Sequence, residues 1–163
     1  MHQGDFADYQ KRWLAEQKRE NEMSIKGAIF DMDGTLLDSM KIWRDLGEIY
    51  LIKKGRTPEK GLKEKLWTMT MVEAAAYLKD RYNLSGELDE LVAEGYQLIE
   101  DFYKNEVEEK PGIRVILEEM AKAGIPMCVA SATDSYLVEY ALEHVGLRGY
   151  FNSIFCCRDV NAG

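Results

Sequence analysis

Two short stretches carry residues whose types and spacing could do chemistry. "FDMDGTLLDS" (30–39) sets Asp31 and Asp33 one residue apart and follows them with Gly34 and Thr35. "ASATD" (130–134) sets Ser131 at the end of an apolar run. Side chains alternate along an extended chain, so Asp31 and Asp33 share a face if the extended course continues. One carboxylate can then act as nucleophile or cation ligand while the other handles protons. Gly34 permits a tight turn that a Cβ would obstruct. Taken singly, D-x-D-G also reads as a turn or helix-capping device, and Ala-Ser-Ala-Thr as a plain loop after a strand. Their pairing, each at the end of an apolar run, favours a site.

The elements that must position these residues follow from the apolar pattern. "IKGAIFD" (25–31), "IPMCVAS" (125–131) and "NSIFCC" (152–157) read as short buried strands. Between the first two lie four helical stretches. Asp38 or Ser39 can cap a helix that runs to about Lys54, with Met40, Trp43, Leu46 and Tyr50 on one face. "TPEKGLKEKLW" is shorter and weaker. "TMVEAAAYLKDRY" opens on a Thr70/Glu73 capping box, and Ser85 can cap a stretch bearing Leu88, Leu91, Val92, Leu98 and Phe102. The charge run "NEVEEK" (105–110) marks a hinge or linker. Ile113, Ile116, Leu117 and Met120 form a further helix stripe closed by Gly124, and "DSYLVEYALEHVG" is capped by Asp134 or Ser135. Strand, helix, strand, helix, strand predicts an α/β fold with a parallel sheet, and an all-helical insert after the first strand. Ligands of such sheets gather at the carboxyl ends of strands, where the order reverses. A carboxylate placed there beside a hydroxyl and a helix N-terminus builds an anion and metal site.

The bulk properties narrow the partners. The chain has 163 residues, 46% of them hydrophobic and 31% charged, as expected of a soluble globular protein. A formal net charge of −8 argues against a surface that tracks nucleic-acid phosphates. An odd three cysteines without C-x-x-C spacing argue against a disulfide framework or a zinc site, and Cys128, Cys156 and Cys157 read as buried reduced thiols. No apolar run reaches spanning length and the N-terminus is charged, so the expectation is a cytoplasmic protein without a membrane partner. Residues 1–22 read as an upstream-start extension or an appended helix, with a second plausible start at Met23.

"FDMDGTLLDS" resembles the first motif of the haloacid dehalogenase-like (HAD) superfamily, and "VASAT" resembles its second. The helical insert resembles that superfamily's small cap, and "KPGIRVILEEMAKAGIPMCVASAT" resembles the return to the core in its β-phosphoglucomutase-like and phosphatase branch. The resemblance implies a Rossmannoid core over 23–38 and 111–163 with a helical cap over 39–110. It implies a Mg²⁺-dependent phosphatase of a small phosphorylated metabolite. Asp31 would form an aspartyl-phosphate, and Asp33 would protonate the leaving group and then activate water. The Asp31 carboxylate and the Asp33 backbone carbonyl would hold Mg²⁺. Ser131 and nearby amides, Ala132 among them, would bind the phosphoryl oxygens with Gly34 and Thr35, while Ser39 would line the site near the cap. Dehalogenases of the superfamily resemble D-x-Y here, so Asp33 favours phosphoryl transfer.

Where β-phosphoglucomutases carry a Lys-Gly pair and an Arg, this chain has Trp67, Thr68, Met69 and Met71. Trp67 is therefore a candidate for substrate choice or simply cap core, and a sugar-phosphate mutase is the weaker alternative. The family pattern also implies a lysine after the third strand and then a strand ending in acidic residues. Neither falls within residues 1–163, so the expectation is the N-terminal part of a longer protein, with a non-catalytic remnant as the alternative. The sequence does not indicate the oligomeric state.

Overall fold

The computed structural model describes residues 25–157; the extension read over 1–22 lies outside them. The elements in chain order are β1 (Ala28–Phe30), α1 (Met40–Lys53), α2 (Leu62–Leu66), α3 (Met71–Tyr82) and α4 (Leu88–Asn105). Then come α5 (Ile113–Lys122), β2 (Met127–Ser131), α6 (Ser135–His144), a 3₁₀ turn (Arg148–Tyr150) and β3 (Ser153–Cys156). The strands form a parallel sheet in the order β1-β2-β3, with Phe30 opposite Val129 and Ser131 opposite Cys156. The fold is α/β, a parallel sheet with an all-helical cap inserted after its first strand, as expected from the sequence. No described helix is long and apolar enough to cross a membrane.

The strands are shorter than the apolar runs that announced them. β2 begins only after Pro126, which has no N–H to give the ladder. Along it Met127, Val129 and Ser131 are buried, and Cys128 and Ala130 half-buried, as suits a strand covered on both faces. β1 has β2 on one side only among the described strands, and Ile29 is 74% exposed. Cys156 is buried, but Cys157 is exposed, contrary to the expectation of three buried thiols. It lies one residue past β3, where alternation turns the side chain outward.

Two apolar clusters hold the layers. One gathers Met32, Leu36 and Leu37 with Val129 of β2, Leu117 of α5, Leu137 and Val138 of α6, and Ile99 and Tyr103 of α4. The other, containing Tyr50, Leu51, Leu62, Leu78 and Leu91, joins the helices of the cap to one another. Helix α4 contributes to both, and so ties the cap to the sheet.

Helix starts follow local chemistry. Thr70 and Glu73 form the expected capping box, with the Thr70 N–H donating to Glu73 Oε2 at 2.8 Å. Ser85 does not cap α4; Glu87 does, and its N–H donates to Glu90 at 3.0 Å. Ser39 holds the N-cap position of α1, yet its hydroxyl makes no capping bond.

The turn after β1 is tightly wound. The Met32 carbonyl accepts from the N–H groups of Thr35, Leu36 and Leu37, and the Leu37 carbonyl accepts from Gly34 at 2.9 Å. The charge run at 105–110 does more than link. Its Val107 is buried, the Asp38 N–H donates to the Glu108 carbonyl at 2.9 Å, and the Lys110 N–H donates to the Leu36 carbonyl at 2.8 Å. A Lys110–Asp38 ion pair at 2.7 Å closes the same crossing. Both passages of the chain between sheet and cap are thereby fastened together.

Gly34 sits at φ +80°, and a Cβ there would lie 2.9 Å from Met40 Cγ. The left-handed conformation alone costs a non-glycine residue about 1–2 kcal/mol. Gly34→Ala should therefore destabilise the protein by at least that order in urea unfolding. An unchanged midpoint would contradict this account of the turn.

Candidate active site

Asp31 is the first residue beyond β1 and is exposed. Thr35, carried back by the turn, donates its hydroxyl to Asp31 Oδ2 at 3.1 Å. Asp33 is half-buried and differently held. Its Oδ1 accepts from Ser39 Oγ at 2.5 Å and from the Tyr103 hydroxyl at 2.5 Å, and its Oδ2 accepts from Thr133 Oγ1 at 2.7 Å. An ionised carboxylate offers about four lone-pair directions, and hydroxyl donors occupy three of them.

These donors arrive from separate elements. Ser39 stands at the entrance to α1, Tyr103 near the end of α4, and Thr133 in the loop between β2 and α6. Ser131 closes β2 and is buried; its Oγ accepts from the Thr133 N–H at 3.1 Å. That short loop bond bends the chain so that Thr133 reaches Asp33. Ala132, between the two, is exposed. The Tyr103 oxygen accepts from Trp43 Nε1 at 3.0 Å, which leaves the phenolic hydrogen for Asp33. Burial, and then the charge of Asp33, push the Tyr103 phenol above its ordinary range, so it stays protonated and remains a donor.

The structure thus brings Asp31, Asp33, Gly34, Thr35 and Ser39 together around one turn, with Ser131 at the end of the neighbouring strand and Ala132 on the loop after it. Trp67 stands elsewhere. It is 59% exposed and lines a cavity within the cap, one that Trp43 also lines but Asp31, Asp33 and Ser131 do not. The sequence did not single out Thr133 and Tyr103 as partners of Asp33, or Trp43 as the partner of Tyr103. Thr133 lay inside the quoted "ASATD". For Tyr103 the only signal was a tyrosine beside the apolar stripe of α4, whose hydroxyl needs a partner once buried.

For a hard cation, two protein oxygens present themselves. They are the exposed Asp31 carboxylate and the Asp33 main-chain carbonyl, which the main-chain hydrogen bonds of the turn leave unused. That donor set suits a Mg²⁺ that retains several waters. The described residues contain no group of three or more acidic, histidine or cysteine side chains able to hold a metal.

Replacing Tyr103 by Phe deletes a donor to Asp33 and the acceptor for the Trp43 indole. The expected loss is about 1–3 kcal/mol of stability, read from urea unfolding. A variant as stable as the parent would show that these hydrogen bonds do not hold Asp33 in solution.

Residues 28–163 match the model of a family described as haloacid dehalogenase-like hydrolase. The chain is 31% identical to the mitochondrial (DL)-glycerol-3-phosphatase 1 of Arabidopsis thaliana over 112 residues, which are 68% of this chain and 37% of the relative. It is 28% identical to the phosphoglycolate phosphatase of Vibrio parahaemolyticus over 137 residues, covering 80% of this chain and 60% of the relative. It therefore spans less than two thirds of either. A crystal structure of a candidate β-phosphoglucomutase from Thermotoga maritima superposes with a TM-score of 0.75 at 20% identity, over 85% of this chain and 64% of the other. That likeness speaks for the fold. With the fold, the Asp31–Asp33 turn and a family match over residues 28–163 in agreement, the chain belongs to the haloacid dehalogenase-like hydrolases.

Proposed function

We propose that the protein is a Mg²⁺-dependent phosphatase of a small phosphate ester that carries the phosphoryl group on Asp31. The observation that carries this reading is the contrast between the two aspartates. Asp31 is exposed with one hydroxyl neighbour, while Asp33, two residues on, is oriented by three. One carboxylate is free to attack and the other is held to move protons. Two relatives named as phosphatases support the reaction class.

In this mechanism an Asp31 carboxylate oxygen attacks phosphorus, and the bond from phosphorus to the ester oxygen breaks. Asp33 delivers a proton to the departing alkoxide, a poor leaving group without one. Water then attacks the acyl phosphate. Asp33 takes the proton of that water, and phosphate leaves with Asp31 regenerated. To carry the first proton Asp33 must present an O–H to the leaving oxygen. Its Oδ1 takes two hydroxyl donors, Ser39 and Tyr103, but its Oδ2 takes Thr133 alone, so the second lone-pair direction of Oδ2 can carry that proton.

Ser131, with the amides of the loop, would bind the phosphoryl oxygens. Asp31 and the Asp33 carbonyl would hold Mg²⁺, which neutralises phosphoryl charge when bound. Domain division at 38/39 and 110/111 belongs to the same proposal, with the two fastened chain passages as its hinge.

Asp31→Asn should abolish Mg²⁺-dependent phosphate release from small esters. Asp33→Asn should lower kcat by about 10²–10⁴-fold. Undiminished turnover in the Asp31 variant would remove it as the nucleophile.

A further inference from the structure

We infer that Tyr103, a residue of the cap, is a positioning residue for proton delivery: its hydroxyl, anchored by Trp43, fixes the Asp33 carboxylate so that Oδ2 can hand a proton to the leaving oxygen. The inference rests on the phosphatase reading above and adds to it a residue far outside the turn that carries the aspartates.

The hydroxyl of Tyr103 is out of place on a side chain that only packs. Tyr103 is fully buried in α4, in one cluster with Met32, Leu36, Ile99 and Leu137. Phenylalanine would fill the same space without taking a hydroxyl out of water. The tyrosine oxygen instead meets a polar partner both as acceptor and as donor. It accepts from Trp43 Nε1 at 3.0 Å and donates to Asp33 Oδ1 at 2.5 Å.

The three donors to Asp33 differ in how firmly they are held. The Ser39 and Thr133 hydroxyls each turn about a single Cα–Cβ bond, and a change of rotamer removes them from the carboxylate. The Tyr103 oxygen lies on the axis of its ring, so a ring flip leaves it where it is. That ring is carried by a helix that packs against both α1 and α6. Trp43 reaches it from α1, and the next residue, Lys104, places Nζ 4.1 Å from the centre of the Tyr140 ring of α6. With the Trp43 N–H on its oxygen, the phenol keeps its hydrogen for Asp33.

The grip falls on one oxygen of the carboxylate. Oδ1 receives Tyr103 and Ser39, whereas Oδ2 receives Thr133 alone. A carboxylate held in this way cannot swing about its Cβ–Cγ bond, and the remaining lone-pair direction on Oδ2 is fixed in space. Proton delivery depends on such placement, because a displacement of about 1 Å can cost on the order of 10²-fold in rate. A tyrosine that served packing alone would, when replaced, slow every ester alike. One that positions the acid slows most those esters whose leaving oxygen needs a proton.

The test compares two aryl esters of nearly the same shape, phenyl phosphate and para-nitrophenyl phosphate, in the parent protein with Mg²⁺ and in Tyr103→Phe. Phenolate leaves more readily when protonated, whereas para-nitrophenolate is stable enough to leave without a proton. The parent should hydrolyse both. Tyr103→Phe should widen the ratio of their kcat/KM values by about tenfold, in favour of the nitrophenyl ester. Trp43→Phe leaves the Tyr103 oxygen without its donor. It should widen the same ratio by about threefold, and it stands in should Tyr103→Phe fail to fold. An unchanged ratio in either folded variant, whatever the loss of rate on both esters, would overturn the inference and leave the phosphatase reading standing. Turnover of the nitrophenyl ester alone by the parent would overturn it too, since no proton would then be reaching the leaving oxygen. Release of phosphate from neither ester would overturn the phosphatase reading, and the inference with it.

Discussion

A half-buried carboxylate that has to keep its hydrogen bonds organises this molecule. Asp33 loses much of its water on folding, a loss that must be offset by donors supplied from the protein. Those donors lie 6, 70 and 100 residues away in sequence, at Ser39, Tyr103 and Thr133. Satisfying one side chain therefore requires the entrance to the cap, its last helix and the loop after β2 to converge on the end of β1. Apolar packing draws them there: Met32, Leu36, Leu37 and Tyr103 are all fully buried in a single cluster with the covering helices of the sheet.

The same arrangement bears on motion. The cap joins the sheet through two chain passages, and these are cross-linked by the 36–38 and 108–110 hydrogen bonds. Any swing of α4 away from the sheet must first part the Tyr103 hydroxyl from Asp33. Cap position and the environment of Asp33 are consequently one variable rather than two. Among the described residues Asp31 is held by Thr35 from its own turn, and it stays outside that coupling. Asp31 is left exposed while its neighbour senses the cap.

How much of this could be read from the sequence depends on range. The parallel strands, the capping box at Thr70 and the turn at Gly34 are local, and residue type with spacing announced each. Asp31, Asp33 and Ser131 stood out as candidates because two apolar runs ended on polar groups. Tyr103 did not, because a tyrosine next to Phe102 looks like ordinary helix core until the fold supplies Asp33 as its partner. Ser39 shows the opposite failure. Its position at a helix start suggested a cap, whereas a long-range carboxylate claimed its hydroxyl. The displacement of the cap from Ser85 to Glu87 was equally invisible, since it depends on Gly86 at φ +105°.

The central claim is that Asp31 becomes covalently phosphorylated while Asp33 manages the protons. It is tested most directly by exposing the protein and Mg²⁺ to acetyl phosphate, reducing with borohydride and locating the modified residue by peptide mass spectrometry. Borohydride converts an aspartyl phosphate to homoserine, so the account predicts that change at position 31 and nowhere else. Phosphate release with an intact aspartate at 31, or reduction at another carboxylate, would contradict it.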